Sequence, residues 1–157
     1  FYSKTEIDTT LSGYYSKSEI DTTFNLYSPT SQILSNFYNI APWLLRLGLG
    51  ISFIFHGLSK FPLPPQKLID YFDFSAELAS FVAISELGAG ILLILGGFLK
   101  SHVGNLVTRL AAGVIVIVMT FAFTLAHSDW FITPKLFMSE QIFLMIIGLY
   151  FFVKGNN

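Results

Sequence analysis

The segment from Trp43 to Phe61, WLLRLGLGISFIFHGLSKF, is long enough to cross a lipid bilayer as a helix, which takes about 20 mostly apolar residues. It also carries Arg46, His56 and Lys60 within or at the edge of its apolar run. Ionisable side chains are costly in the hydrocarbon region, where they pair, reach for the headgroups or face a polar interior. These three residues therefore constrain the fold and are candidates for a functional role.

The composition assigns the whole chain to the membrane. Hydrophobic residues make up 53% and charged residues 12% of the 157, and the mean hydropathy is +0.62, whereas soluble domains carry about 25% charged residues. The net charge of -1 argues against nucleic acid as a partner. Because the chain has no cysteine, it has no disulfide, no thiolate metal site and no thiol for redox chemistry. Any redox centre must be supplied by another molecule.

Four apolar spans predict an all-α, integral membrane four-helix bundle, residues 42–157. The spans cover about 42–61, 76–99, 104–127 and 138–154. The last is short and depends on aromatic residues at its ends.

An even number of crossings predicts a multi-pass protein whose two termini lie on one side of a bacterial-type inner membrane or an organellar membrane. Four basic residues mark that side, Arg46, Lys100, Arg109 and Lys154. Three mark the other side, Lys60, Lys67 and Lys135. By the positive-inside rule, four against three favours cytoplasmic termini.

Residues 1–27 hold two copies of a 13-residue repeat, YSKTEIDTTL and YSKSEIDTTF. Each copy has the Ser-x-x-Glu spacing of a capping box, so two short helices are expected, with breaks near Gly13 and Pro29. Helices this short are marginal alone, so the segment is predicted to associate with copies of itself or with a partner; a polar linker is the alternative. The repeat resembles units of phage tail-fibre and related fibrous proteins. The start at Phe1 leads us to expect upstream sequence.

Residues 28–41 follow the repeat and predict a short amphipathic helix at the membrane surface. Pro29 fits a first helical position, and Ile33, Leu34 and Phe37 fall on one side. The N-terminal segment is therefore expected to be repetitive, helical and interfacial.

Ionisable residues within the spans form a predicted buried polar constellation. Its members are Arg46, His56, Lys60, Glu86, Arg109, His127 and Glu140. Glu86 is the deepest carboxylate and is too short to reach the headgroups, so it must be paired or protonated. Glu86 and His56 are the candidate catalytic residues.

Helical spacing predicts which residues of this constellation share a face. On the first span the protein-facing stripe is Arg46, Gly50, Phe53, Gly57 and Lys60. On the third it is Arg109, Gly113, Val116, Thr120, Phe123 and His127. His56 lies about 80° off the first stripe.

Other features favour packing over chemistry. His56 and His127 lack a second histidine at helical spacing, so hydrogen-bonded histidines at helix ends are favoured over haem or metal ligands. No metal site is predicted. Small residues at spacings that allow close helix contact are Gly48, Ser52, Gly57, Ser85, Ala89, Gly90, Gly97 and Gly113.

The run from Arg46 to Phe61, followed by Glu86 and then Arg109 in RLAAG, resembles the successive helices of the DoxX family of small four-helix membrane proteins. The resemblance covers about residues 42–154. It implies a four-helix bundle with these polar residues in the family's positions, and an association with membrane redox systems, including a thiosulfate:quinone oxidoreductase.

Three functions follow from these observations. The first is an accessory or structural subunit of a larger, redox-linked membrane complex, because no cofactor motif is present and the N-terminal repeat favours association. The second is a quinone-linked oxidoreductase subunit in which Glu86 and His56 exchange protons; a quinone is the one cofactor left open. The third is a small transporter or proton path. Whether the protein is an enzyme is left open, and its expected partners are membrane lipids and other subunits.

Overall fold

The computed structural model describes residues 3–11, 13, 16–99, 101–130 and 133–156. Its α-helices are α1 Lys4–Leu11, α2 Lys17–Leu58, α3 Gln66–Phe72, α4 Ala76–Phe98, α5 His102–Phe121, α6 Pro134–Met138 and α7 Glu140–Lys154. A π-helical turn, Ala122–Ala126, and a 3-10 turn, Ser128–Trp130, follow α5. The described residues contain no strand. The chain divides into two compact units, Phe1–Pro42 and Trp43–Asn157; the second is called the membrane domain below.

Helices α1 and α2 both begin with capping-box hydrogen bonds, which are reciprocal in the first copy of the repeat. The Ser3 amide donates to Glu6 Oε2 at 2.8 Å, and the Glu6 amide donates to Ser3 Oγ at 3.3 Å. In the second copy, the amide and hydroxyl of Ser16 donate to Glu19 Oε2 at 2.9 and 2.7 Å. These bonds satisfy donors that a helix start leaves open. They lower the pKa of Glu6, mainly through the Ser3 amide, and the pKa of Glu19, mainly through the Ser16 hydroxyl.

The helix break expected near Pro29 is wrong, because α2 runs from Lys17 to Leu58 without interruption. Proline removes one helical hydrogen bond, but its fixed φ is itself helical, so it can lie within a long helix at a cost. The side chains of Ile33 and Leu34 lie outside the described residues. The surface location of residues 28–41 stays a prediction.

The membrane domain is the predicted all-α four-helix membrane bundle, made by the C-terminal part of α2 with α4, α5 and α7. Within the described part of the chain, three segments are long and apolar enough to cross a membrane: Ile40–Leu58, Ala76–Phe98 and His102–Ala126. The fourth helix, α7, has 15 residues and is about 22 Å long at 1.5 Å per residue. It begins later than predicted, since Met138 belongs to α6 and Ser139 separates the two helices.

The core lies where α5 packs between α4 and α7. Fully buried side chains come from every helix of the bundle: Leu49, Phe53, Leu93, Ala112, Ile115 and Phe151. Large apolar side chains on the outside, such as Phe55, Leu110 and Phe121, are more than half exposed. An apolar outer surface around an apolar core is expected where the surroundings are lipid tails.

Two glycine contacts bring α2 and α4 close together. A Cβ on Gly50 would lie 3.0 Å from the carbonyl oxygen of Gly90, and one on Gly57 would lie 2.6 Å from the backbone nitrogen of Leu87. Gly48 makes no such contact with the described residues, since a Cβ there would meet no atom within 4 Å. Gly48 is therefore not a packing residue of this bundle, and Gly50 occupies the close crossing instead.

The predicted stripe of the first span is confirmed, whereas that of the third span is wrong in part. Arg46, Gly50, Phe53 and Gly57 are buried and Lys60 is half-buried. On α5 the buried face is instead Gly104, Thr108, Ala111, Ala112, Ile115 and Met119. Thr120 is exposed. Helix α5 contacts both α4 and α7. Its buried face is therefore the one whose small residues, such as Gly104, Ala111 and Ala112, let both helices pack closely, and it is not centred on Arg109.

Candidate functional site

The predicted polar constellation separates into two clusters, one at each end of the bundle. The Arg46 cluster contains Arg46, Asn105, Thr108, Arg109 and Asn156. The Lys60 cluster contains His56, Lys60, Glu86 and Glu140. His127 belongs to neither cluster; its ring stacks on Trp130 with centroids 3.7 Å apart.

Arg46 joins all four helices of the bundle. One guanidinium nitrogen donates to the carbonyl oxygen of Leu93 at 2.6 Å and to Thr108 Oγ1 at 3.0 Å. The other donates to Asn156 Oδ1 at 2.7 Å. Arg46 is only 5% exposed, so these bonds replace the water that a guanidinium otherwise holds.

The space for this guanidinium comes from two adjacent glycines and an aromatic ring. A Cβ on Gly97 would lie 2.7 Å from Arg46 Cδ, and one on Gly96 would lie 2.6 Å from Thr108 Oγ1. The Phe151 ring centroid lies 4.6 Å from Arg46 Cζ, within the range of a cation–π contact. The Gly96–Gly97 pair therefore leaves space for the Arg46 side chain and its Thr108 acceptor as well as for close helix packing.

Asn156, just beyond α7, completes this cluster. Its side-chain nitrogen donates to the carbonyl oxygen of Gly96 at 2.7 Å, and its oxygen accepts from Thr108 at 2.7 Å. Its amide donates to Asn105 Oδ1 at 3.0 Å. Gly96 is in the last turn of α4, whose carbonyls lack intrahelical donors. Asn156 thus caps a helix distant in sequence.

Arg109 holds the end of α7 against α5. It donates to the carbonyl oxygens of Phe152 and Lys154 at 3.2 and 3.3 Å, and to Asn105 at 3.4 Å. Arg46 and Arg109 donate to neutral oxygens, and two of these are carbonyls in the last turn of α7, where the carbonyls carry negative partial charge. The cations of this end are therefore stabilised by dipoles.

The Lys60 cluster is stabilised by opposite charges instead. Lys60 Nζ forms a salt bridge with Glu86 Oε2 and donates to the carbonyl oxygen of His56 at 3.3 Å. The Glu86 side chain is 6% exposed and that of Lys60 is 19% exposed. Of the two states left open for Glu86, the structure thus has the paired one. Gly57 permits this pairing because it lets α2 approach α4 at Leu87, next to Glu86.

His56 connects this pair to the start of α7. Its Nε2 lies 3.4 Å from Glu140 Oε1. On the outer side of α2, a shallow open pocket of about 430 Å³ is lined by Ser52, Phe55, His56 and Ser59. The imidazole therefore lies near a carboxylate and also lines an accessible pocket, an arrangement that suits a proton-transfer group.

Sequence reasoning identified the ionisable residues but missed the neutral ones that bind them. Thr108 and Asn156 are ordinary residues in the sequence, and only the packing makes them partners of Arg46. The one available signal was that Thr108 directly precedes Arg109 and therefore lies at a similar depth. Among the residues with described positions, no three His, Cys, Asp or Glu side chains come together as a metal site.

These features define a small multi-pass membrane protein of four helices with a polar cluster at each end. The model of the DoxX family matches residues 41–128, which is more than half of the chain and includes Arg46, His56, Lys60, Glu86 and Arg109. The chain belongs to the DoxX family. The match ends before α7, so Glu140 and Asn156 lie beyond it. No curated protein and no solved structure matches the chain.

Proposed function

We propose that this DoxX protein is an accessory or structural subunit of a larger, redox-linked membrane complex. The observation that carries the proposal is the Arg46 cluster, in which one buried side chain bonds groups from α4, α5 and the end of α7. A bundle locked in this way suits a rigid scaffold. The separate N-terminal unit of capped helices supplies a segment for association.

Gentle solubilisation of the native membrane tests this role. The full chain is expected to migrate on a native gel with a mass well above its own 17.6 kDa, and to fall to the monomer after extraction in dodecyl sulfate. A lone monomer under gentle conditions, with lipid and detergent mass subtracted, contradicts the proposal.

A second candidate is a quinone-linked oxidoreductase subunit, which the pocket beside His56 favours. The pocket offers two serine hydroxyls, an aromatic ring and an imidazole, and Lys60, which pairs with the buried Glu86, lies one helical turn from His56. In this role His56 and Glu86 exchange protons as a quinone is reduced, and a partner supplies the electrons.

The redox role predicts that Glu86→Gln and His56→Ala each lower quinone reduction by at least about tenfold in an active membrane preparation, since general acid–base groups contribute 10²–10⁴-fold. Gly48→Ala is the matched control on the same helix, because a Cβ there meets no described atom within 4 Å. Unchanged quinone reduction in both site variants excludes the role while leaving the subunit proposal standing.

A further inference from the structure

Helix α7 is bonded to the rest of the bundle very unevenly along its length. At its C-terminal end, hydrogen bonds of Arg46, Arg109 and Asn156 join it to the other three helices. At its N-terminal end, the polar side-chain contact with another helix that the described residues provide is the pair His56–Glu140. The two ends of α7 are therefore held in place to different degrees.

The packing of α7 shows the same difference. Its buried residues are Leu144, Gly148 and Phe151, so its first turn, residues 140–143, contains none. Ser139 precedes this turn but does not cap it, because its hydroxyl donates to the carbonyl oxygen of Leu136 at 2.7 Å. A helix end with few buried contacts opens locally at a small cost in free energy. The position of the first turn of α7 is therefore sensitive to a single contact.

The contact at this end depends on the charge of a histidine. His56 Nε2 lies 3.4 Å from Glu140 Oε1, and histidine is the side chain that ordinarily changes its charge between about pH 5 and 8. The two groups attract each other most strongly while the imidazole is protonated and the carboxylate is ionised. The contact is therefore strengthened as the pH falls from about 8 to about 6, and it weakens again in stronger acid, where carboxylates become protonated.

The other charged groups near His56 do not replace Glu140 in this contact. Lys60, on the same helix, donates to the backbone carbonyl of His56 and forms its salt bridge with Glu86 of α4, so these two charges offset each other. The remaining ionisable groups of this end that are described have no recorded contact with the imidazole: Lys67, Asp70, Asp73, Glu77, His127, Asp129 and Lys135.

We propose that the His56–Glu140 contact is a pH-sensitive latch that holds the start of α7 against the end of α2. With a protonated imidazole the latch is closed; with a neutral one the first turn of α7 separates from α2, while the C-terminal end of α7 stays bonded. Since both side chains are partly exposed, such a pair changes the ratio of closed to open states by about two- to fivefold. The latch requires neither a partner protein nor a quinone, so it goes beyond both functions proposed above.

Double electron–electron resonance of the full chain in lipid nanodiscs tests the latch. The chain has no cysteine, so spin labels attach only at introduced ones. The latch pair is Leu58→Cys on α2 with Phe143→Cys on α7, and the control pair, at the Arg46 end, is Leu45→Cys with Val153→Cys; all four positions are exposed. Between about pH 8 and about pH 6, the ratio of short to long distances in the latch pair is expected to rise about two- to fivefold. The control pair is expected to give the same distances at both pH values.

Substitutions of the two latch residues show which group causes the change. His56→Gln and Glu140→Gln are each expected to abolish the pH-dependent shift, and unaltered distances in the control pair show that each variant is folded. His127→Gln removes a histidine at the same end that stacks on Trp130, and it is expected to retain the shift. Identical latch-pair distances at both pH values overturn the proposal, as does a shift that persists in His56→Gln or that the control pair shares.

Discussion

The two polar clusters stabilise a basic side chain within the membrane bundle in different ways. Both hold a basic side chain inside a membrane bundle, but Arg46 is surrounded by neutral oxygens and an aromatic ring, whereas Lys60 faces the carboxylate of Glu86. Arg46 has several donors in a planar fork and can bond several carbonyls at once. Lys60 carries a compact charge on a flexible stem and is better served by one counter-charge. The side-chain chemistry thus explains why Arg46 contacts groups from all four helices, whereas Lys60 forms an ion pair with one carboxylate.

The largest effect is expected for Arg46→Ala, which tests whether the bonds of Arg46 to neutral oxygens stabilise the bundle. It removes bonds to Leu93, Thr108 and Asn156 and leaves a cavity lined by neutral oxygens without these donors, so we expect a loss of about 2–5 kcal/mol in the free energy of unfolding. Unfolding in detergent micelles by dodecyl sulfate titration measures it. Arg46→Lys should recover only part of the loss, because one ammonium cannot reach all three oxygens; full recovery would show that charge alone matters.

A glycine substitution tests whether close helix approach supports the Lys60 cluster. Gly57→Ala places a methyl group 2.6 Å from the Leu87 backbone nitrogen, so α2 and α4 must separate, and we expect a loss of about 1–3 kcal/mol. Gly48→Ala, on the same helix with no described atom within 4 Å, should change stability by less than about 0.5 kcal/mol. The same titration measures both, and equal effects would contradict the assigned crossing.

The third prediction concerns the Lys60–Glu86 pair itself. Glu86→Gln leaves the Lys60 ammonium without its carboxylate, but Lys60 is 19% exposed and can move toward the headgroups. We expect a loss of about 1–2 kcal/mol, smaller than the 3–5 kcal/mol of a fully enclosed pair. The double variant Glu86→Leu with Lys60→Leu should be more stable than Glu86→Leu alone. A double variant with the summed loss would show that the two residues do not interact.

The smallest expected effect lies outside the bundle, in the exposed capping boxes. The folded pKa of Glu6 is depressed below its ordinary 4.5, so its contribution is present above 4.5 and is lost as the pH falls through the folded pKa. Helicity of α1, followed by nuclear magnetic resonance of the full chain, should therefore decrease only in acid below that value. Glu6→Gln should abolish this pH dependence, whereas an unaltered acid transition in the variant would assign it to other groups.

The sequence predicts the buried face of the first span better than that of the third. The stripe from Arg46 to Lys60 faces the protein interior as predicted. The first span has its ionisable residues on one face, and that face must turn away from lipid. On α5 the same reasoning placed Thr120 inside, but it is exposed, and Thr108 is fully buried. Spacing alone does not tell how wide a buried face becomes when two neighbours pack on one helix.

The sequence by itself determined the class of protein, since hydropathy and helix length leave a chain of this composition few alternatives to a helical membrane bundle. It also identified most of the ionisable residues that lie inside, because their cost in lipid makes them conspicuous. Only the tertiary structure decided that they form two clusters, that Glu86 is paired with Lys60, and that Asn156 completes the Arg46 cluster. The physical reason is that the partners of Arg46 are backbone carbonyls and neutral side chains, whose importance comes from position rather than from residue type.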